Sequence, residues 1–178
     1  MSNILNAEQI NNILKDLVKQ ILSEAPSIDD LAIVGIRSRG EILGNRLCEL
    51  VSQKTGKDIL CGTLDITMYR DDLNDPHGTG QPVVRTTEID FDVDDKTIIL
   101  ADDVLFTGRS ARAALDALID LGRPKAIKLA VLVDRAGREF PIQADYAGFT
   151  TDVAPDQRVQ VHFVESDGKD EVEVDVVE

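Results

Sequence analysis

The chain has 178 residues, of which 43% are hydrophobic, and its 33 acidic and 19 basic residues give a net charge of −14. This length supports one domain with a buried core, and no apolar run is long enough for a transmembrane helix. The N-terminus lacks the basic start and apolar stretch of a secretory signal, so we predict a single cytoplasmic domain over residues 1–178 with no membrane partner.

The acidic composition also bears on partners. Nucleic-acid binding draws most of its affinity from Lys and Arg, so this chain would have to supply such binding from a local patch. The negative charge equally fits high solubility or a salt-rich cytoplasm. The two cysteines, Cys48 and Cys61, form no CxxC pair. Because disulfides are rare in cytosolic proteins, we expect both to be reduced thiols in the core.

The first part of the chain alternates helix and strand signals. Residues 7–24 carry apolar residues at helical spacing, with Asn6 as N-cap and Gln9 at the capping-box position. The continuous apolar run at 31–36 predicts a strand buried on both faces. A second helix follows this strand and ends near Gly56.

The middle of the chain predicts a long arm. Residues 58–69 and 83–93 read as two strands, and the polar stretch at 70–80 between them is rich in Gly, Pro and Asp, which is typical of a flexible loop. Loops of this length in compact domains are usually functional or disordered. We therefore predict a mobile hairpin arm over residues 70–87.

The second half continues the alternation. Residues 97–101 and 126–133 predict buried strands, and residues 110–121 predict the helix between them. Residues 158–165 alternate with period two, and the acidic C-terminal end at 165–178 predicts an edge strand and a solvated terminus. Strands that alternate with helices indicate an α/β fold with a central, mostly parallel sheet flanked by helices.

The clearest functional signal lies between the strand at 97–101 and the following helix. Two adjacent carboxylates, Asp102 and Asp103, end the strand, and the turn at 107–110 begins the helix. Helix N-termini at the carboxyl edge of an α/β sheet favour phosphate, whereas carboxylates accept hydrogen bonds from sugar hydroxyls. The segment therefore predicts a site for a ribose 5'-phosphate; the alternative is a solvated turn with acidic capping residues.

This segment, Asp-Asp-Val-Leu-Phe-Thr-Gly-Arg-Ser at 102–110, resembles the signature with which type I phosphoribosyltransferases bind 5-phosphoribosyl-1-pyrophosphate (PRPP). Three further stretches, at 35–40, 64–73 and 132–148, are similar to the PyrR family of pyrimidine-operon regulators and uracil phosphoribosyltransferases. The resemblance covers residues 5–175 and implies the type I phosphoribosyltransferase fold with a flexible hairpin arm.

The resemblance implies a PRPP site along the signature. Its ribose and 5'-phosphate would contact Asp102, Asp103, Val104, Leu105, Phe106, Thr107, Gly108, Arg109 and Ser110. Pyrophosphate would bind Arg37, Ser38 and Arg39, in a loop that often contains a non-proline cis peptide; the alternative is a solvated basic turn.

Catalysis and base binding are assigned in the same way. The expected catalytic residues are Asp103 and, from the arm, Arg85. His77 also lies in the arm, but a lone histidine in a loop rich in Pro and Gly is more often solvated than catalytic. The base would be held, mainly by main-chain groups, near Asp134, Arg135, Tyr146 and Ala147.

Phe106 bears on the choice of base. Many 6-oxopurine phosphoribosyltransferases carry an acid before the Thr-Gly turn, so an aromatic there favours a pyrimidine. The implied reaction joins uracil to PRPP and releases UMP and pyrophosphate. Mg²⁺ would be bound mainly through PRPP, with no metal site made by the protein alone.

PyrR-like proteins also bind the leader RNA of the pyrimidine operon and form dimers or higher homo-oligomers. This sequence departs from their basic pattern: Ala136-Gly137 replaces Gly-His, Gln143 replaces Arg, and Phe149 replaces Lys. Three functions therefore remain open. They are a uracil phosphoribosyltransferase that also regulates transcription by attenuation, an RNA-binding nucleotide sensor with incidental catalysis, and a phosphoribosyltransferase for another base.

Overall fold

The computed structural model describes residues 2–25, 27–73 and 83–176, and these form two sheets and four α-helices. The strands are β1 Ser2–Leu5, β2 Leu31–Ile36, β3 Leu60–Leu64, β4 Thr97–Leu105, β5 Ala126–Arg135, β6 Tyr146–Thr151, β7 Gln157–His162 and β8 Glu171–Val176. The helices are α1 Ala7–Glu24, α2 Arg39–Thr55, α3 Arg109–Leu121 and α4 Val164–Asp167.

The main sheet has five parallel strands in the order β3-β2-β4-β5-β6. Strand β2 lies inside it and is buried at all six positions, because helices cover both faces. Leu31 and Ile33 pack in the core that contains α1 and α2, whereas Ala32 and Val34 pack with α3 on the opposite face. The predicted α/β fold with a central parallel sheet flanked by helices is confirmed.

Local capping signals are also found where the sequence placed them. The side chain of Asn6 accepts a hydrogen bond from the Gln9 amide, and the Gln9 side chain accepts one from the Asn6 amide, which completes the capping box of α1. Gly56, at φ +70°, ends α2.

A second, antiparallel sheet has the strand order β1-β8-β7. The acidic strand β8 was predicted at an edge, but it is the central strand of this sheet. The reason is that β1, from the other end of the chain, pairs with its free side through Ser2↔Val174 and Leu5↔Val172. Such a partner could not be identified from the local pattern of β8.

The strands predicted around the arm are shorter than expected. Strand β3 ends at Leu64, and a 3₁₀ turn follows at Thr67–Tyr69. Residues 83–93 do not form the predicted strand; their described pairing with β3 is a single bridge between Thr63 and Glu88. His77 and the rest of 74–82 lie outside the described residues.

The expectation of reduced cysteines is wrong. Cys48 on α2 and Cys61 on β3 form a disulfide across 13 residues of sequence, with their Cα atoms 6.5 Å apart. The fold packs the outer strand against the helix on the face where both thiols lie, so tertiary packing brings the two sulfurs together. Among the described residues, no helix is both long and apolar enough to span a membrane.

Candidate active site

The candidate site lies where the parallel strands end. Strand β4 continues through Asp102 and Asp103 to Leu105, four residues further than its apolar run predicts. Helix α2 begins beside this strand end. Gly40 makes the approach possible, because a Cβ there would lie 2.6 Å from the main-chain oxygen of Ala101. The loop before α2 and the acidic pair therefore share one edge of the sheet.

The two aspartates differ in environment. The carboxyl of Asp102 is buried, and this burial, together with the negative charge of Asp103, raises its pKa well above the ordinary range. Its Oδ1 accepts a hydrogen bond from the amide of Asp103 at 3.0 Å. As whole residues, Asp102 and Asp103 are both half-buried.

The turn after β4 is built for an anion. Gly108 caps α3 at φ +92°, a conformation that side-chain-bearing residues rarely adopt. The first main-chain hydrogen bond of the helix runs from the Arg112 amide to the oxygen of Gly108. The amides of Ser110 and Ala111 precede it, and helix N-termini leave such donors for capping groups or ligands.

The side chain of Arg109 is held by residues from outside this turn. Its Nε donates to Glu139 at 2.8 Å, its Nη1 contacts Asp71, and its guanidinium lies 4.8 Å from the centre of the Phe140 ring. Hydrogen bonding to Glu139 and Asp71 raises the pKa of Arg109. Of the predicted phosphate-binding residues, Arg109 is thus the one whose side chain is already engaged by two acids.

The predicted pyrophosphate loop contains a cis peptide bond between Arg37 and Ser38. The Arg37 side chain is largely buried and is fixed by three partners: Glu41 at 3.1 Å, Glu88 at 3.3 Å and the main-chain oxygen of Thr86 at 2.7 Å.

Arg39, two residues later, turns to the other side and donates from Nη2 to Asp167 at 2.9 Å. The loop is therefore held between the returning end of the arm, through Arg37, and helix α4, through Arg39.

Asp65 holds the two ends of the arm together. Its Oδ2 accepts from the amide of Arg85 at 2.6 Å, and its Oδ1 accepts from the amide and hydroxyl of Thr67 at 3.0 and 2.6 Å. The Asp65 amide in turn donates to Thr87 Oγ1. Burial opposes ionisation of Asp65, but these hydrogen bonds and the charge of Arg37 lower its pKa overall. The Arg85 side chain itself is exposed.

Arg135 occupies the end of β5 and is only 4% exposed. Its guanidinium lies 3.8 Å from the centre of the Phe106 ring, and its Nη1 donates to the main-chain oxygen of Gln157 at 2.7 Å. Burial lowers its pKa. Arg135 therefore packs against one face of the Phe106 ring, which is half-exposed.

The neighbouring charges on this side are paired. Arg138 Nη2 donates to Asp134 at 2.7 Å, and its Nη1 donates to the main-chain oxygens of Phe106 and Arg135. These contacts connect the segment after β5 to the end of β4, next to the predicted phosphate-binding turn at 107–110.

The other two predicted base-binding residues, Tyr146 and Ala147, lie on β6, which β5 separates from β4. Tyr146 begins β6 and pairs with Ala130. The partner of Asp134 is Thr150, four residues further along β6. The Tyr146 ring is buried, and its hydroxyl donates to Glu24 on α1 at 2.9 Å; burial and this contact raise its pKa. Through Val131, Ala147 lies level with Asp102 in the sheet, with β5 between them. The Tyr146 side chain is directed to α1 instead.

Sequence reasoning missed Asp65 and Asp167. Asp65 lies inside the predicted strand 58–69, and only the structure shows that β3 ends at Leu64 and leaves Asp65 at the sheet edge. Asp167 lies 128 residues from Arg39, and no local pattern marks it as its partner.

Comparisons with known proteins agree with this geometry. A family model described as "Phosphoribosyl transferase domain" matches residues 1–164. A protein named "Bifunctional protein PyrR" from Ligilactobacillus salivarius is 46% identical over 171 residues, covering 96% of each chain. The chain belongs to the PyrR family. This membership confirms the predicted family and the predicted phosphoribosyltransferase enzyme class.

Other PyrR relatives and solved structures give the same result. "Bifunctional protein PyrR" of Clostridioides difficile is 42% identical over 97% of both chains. The hypoxanthine phosphoribosyltransferase of Trypanosoma cruzi superposes with a TM-score of 0.71 over 98% of this chain and 95% of its own, at 16% identity. The hypoxanthine-guanine phosphoribosyltransferase of Bacillus anthracis reaches 0.70 over 99% and 98%, at 18% identity. At these identities the structural similarity shows the fold alone.

The acidic pair is also where a metal-bound ligand fits. Among residues 2–25, 27–73 and 83–176, no cluster of three or more His, Cys, Asp or Glu side chains could hold a metal ion. Asp102 and Asp103 offer carboxylate oxygens, the donor type that Mg²⁺ prefers, and Mg²⁺ usually shares its coordination with substrate phosphates and water. The donor set therefore suits an ion that arrives with the substrate.

Proposed function

We propose that the chain is a uracil phosphoribosyltransferase that converts uracil and PRPP to UMP and pyrophosphate, and that the sugar phosphate binds along the signature at 102–110. The observation that carries this proposal is the acidic pair at the end of β4, followed by the Gly108 turn that opens α3. Together they present carboxylates to ribose hydroxyls and helix amides to the 5'-phosphate.

The chemistry needs alignment and charge stabilisation rather than a protein nucleophile. Asp103 accepts hydrogen bonds from the ribose hydroxyls and orients C1' towards N1 of the base. Negative charge develops on pyrophosphate as it leaves, and Arg39, with Arg85 from the arm, stabilises it. Asp102 and Asp103 would help to hold Mg²⁺ that arrives with PRPP, and the ion would supply positive charge for the leaving pyrophosphate. Arg37 is already surrounded by Glu41, Glu88 and Thr86, so its main contribution is to hold the loop.

The base is proposed to be uracil because Phe106 replaces an acid before the Thr-Gly turn. The Phe106 ring packs against Arg135 and offers an apolar surface to a base but no acid to a purine nitrogen. The experiment is a panel of uracil, cytosine, hypoxanthine and guanine with PRPP and Mg²⁺, followed by release of pyrophosphate. We expect turnover with uracil and with none of the other three bases. Turnover with a purine and not with uracil would refute the uracil assignment.

Regulation of a pyrimidine operon is proposed from family membership, since the relatives are named bifunctional. The expected partner is the operon's leader RNA, bound in the cytoplasm by a homodimer or higher homo-oligomer. In the segment that departs from the family pattern, Arg135 is buried and Arg138 is paired with Asp134, so few free cations face solvent there. Titration of that RNA with and without UMP, at stated salt, tests this role. If the RNA does not bind at 50 mM salt, the regulatory role is refuted and only the enzyme function remains.

A further inference from the structure

Arg39 is held by one carboxylate from a distant part of the chain. Its Nη2 donates to Asp167 Oδ1 at 2.9 Å, where the Arg39 side chain is 38% exposed and that of Asp167 is 19% exposed. Within the described chain, Nη2 is the Arg39 nitrogen with a hydrogen-bond partner, and Nε is buried without one. The guanidinium is therefore fixed through Nη2, while part of the side chain stays exposed.

Asp167 is itself fixed on the side away from Arg39. Its Oδ2 accepts from the hydroxyl of Ser166 at 2.6 Å and from the amide of Phe163 at 3.1 Å. These hydrogen bonds, followed by the charge of Arg39, outweigh partial burial and hold the pKa of Asp167 well below its usual range. The carboxylate is thus ionised at neutral pH and is hydrogen-bonded through both of its oxygens.

A second contact between the same parts of the chain separates docking from positioning. Arg46, two turns further along α2, binds Glu165 and Asp170 at 2.5 and 2.7 Å. It also packs over the Phe163 ring, 4.7 Å from the ring centre. This cluster also docks α4 and the segment before β8 on α2, so the Arg39–Asp167 pair is one of two contacts between these parts of the chain. Arg39 begins α2, at the end that lies beside Asp102.

We propose that Asp167 is a positioning residue for pyrophosphate: it holds the Arg39 guanidinium in the orientation that receives the leaving group. This inference rests on the proposed function, since it assumes that PRPP binds at the end of α2. Fixing Arg39 in advance removes the entropy that a free, rotamer-rich side chain would lose on binding the anion. Because the pyrophosphate charge grows in the transition state, the benefit extends to turnover.

The experiment compares Asp167→Asn with Asp170→Asn. We expect Asp167→Asn to raise the Kd for Mg-pyrophosphate and the KM for PRPP at least fivefold and to leave the KM for uracil within twofold. Asp170→Asn removes a partner of Arg46 instead and is expected to leave all three within twofold. Should Asp167→Asn fail to fold, Asp167→Glu replaces it, with the same expected loss because the added methylene displaces the carboxylate from Nη2.

A double-mutant cycle distinguishes positioning from a general structural effect. If Asp167 acts through Arg39, adding Asp167→Asn to Arg39→Lys should change pyrophosphate affinity by less than twofold. An equal loss in both backgrounds, or wild-type affinity in Asp167→Asn, would overturn the inference. A wild-type protein that binds neither PRPP nor pyrophosphate would instead refute the proposed function itself.

Discussion

Gly40 and Asp102 are in direct contact across the edge of the sheet: a Cβ on Gly40 would lie 3.1 Å from Asp102 Oδ1 and equally close to the Asp102 Cα. The loop assigned to pyrophosphate and the acids assigned to ribose are therefore separated by no side chain. This spacing suits a substrate in which both groups are attached to one sugar ring.

Gly40→Ala is expected to push the start of α2 away from β4. The new methyl group would be only 2.6 Å from the oxygen of Ala101, a main-chain atom that cannot move aside. We expect at least a tenfold rise in the KM for PRPP and a loss of stability of roughly 1–3 kcal/mol, as for other overpacked sites. Steady-state kinetics and urea unfolding measure the two effects. Unchanged kinetics would show that this contact does not shape the site.

Asp103→Asn should weaken PRPP binding at least tenfold. The amide keeps one oxygen acceptor, but it loses the charge that strengthens hydrogen bonds from ribose hydroxyls and favours Mg²⁺. Isothermal calorimetry with PRPP and Mg²⁺ measures the change directly. An Asp103→Asn protein with the affinity of the wild type would refute the ribose-binding role.

The raised pKa of Asp102 predicts that the stability of the protein depends on pH. Burial and the charge of Asp103 raise its pKa in the folded state, so the folded protein holds this proton more tightly than the unfolded chain does. The contribution of the protonated Asp102 carboxyl to the free energy of unfolding is complete below the unfolded pKa of about 3.9. It is lost as pH rises towards the folded pKa.

Asp102→Asn should therefore gain stability relative to wild type between pH 5 and pH 8, by roughly 1 kcal/mol or more. Urea unfolding of both proteins at several pH values gives the difference. A gap between the two proteins that is constant with pH would contradict the raised pKa.

Gly108→Ala should damage the phosphate-binding turn. At φ +92° an alanine is strained, and its Cβ would lie 3.2 Å from the Cβ of Phe140; such strain costs about 1–2 kcal/mol. PRPP affinity should also fall about tenfold, because the helix amides shift. Gly56→Ala is the matched control, since Gly56 has φ +70° and open space around it. It should lose similar stability without losing PRPP affinity; equal affinity losses would argue against a specific role for Gly108.

The disulfide between Cys48 and Cys61 is open to a chemical test. It closes a loop of 13 residues, and a cross-link of that span stabilises a protein by about 3 kcal/mol. Thiol titration of the denatured, unreduced protein should find no free cysteine, and reduction or Cys48→Ser should lower the thermal midpoint. Two titratable thiols before reduction would show that the cross-link is absent in solution.

Much of the fold could be predicted because its signals are local. The apolar run of β2, the capping box of α1 and Gly56 after α2 each act within a few residues, and all were found as predicted. The signature at 102–110 is equally local, since strand end, turn and helix start follow one another directly. Strand β8 was misplaced because its neighbour β1 comes from the opposite end of the chain.

By itself, the sequence determined the family and the alternation of strands and helices from β2 to β5, and it predicted the segments that would carry the chemistry. Only the tertiary structure decided which charges are free to act: Arg37, Arg39 and Arg135 look alike in the sequence. In the fold, Arg37 donates to the main chain at the end of the arm, Arg39 pairs with Asp167, and Arg135 is buried against the Phe106 ring. The physical reason is that an ion pair depends on distance in space, and its partners here come from elements that only folding brings together.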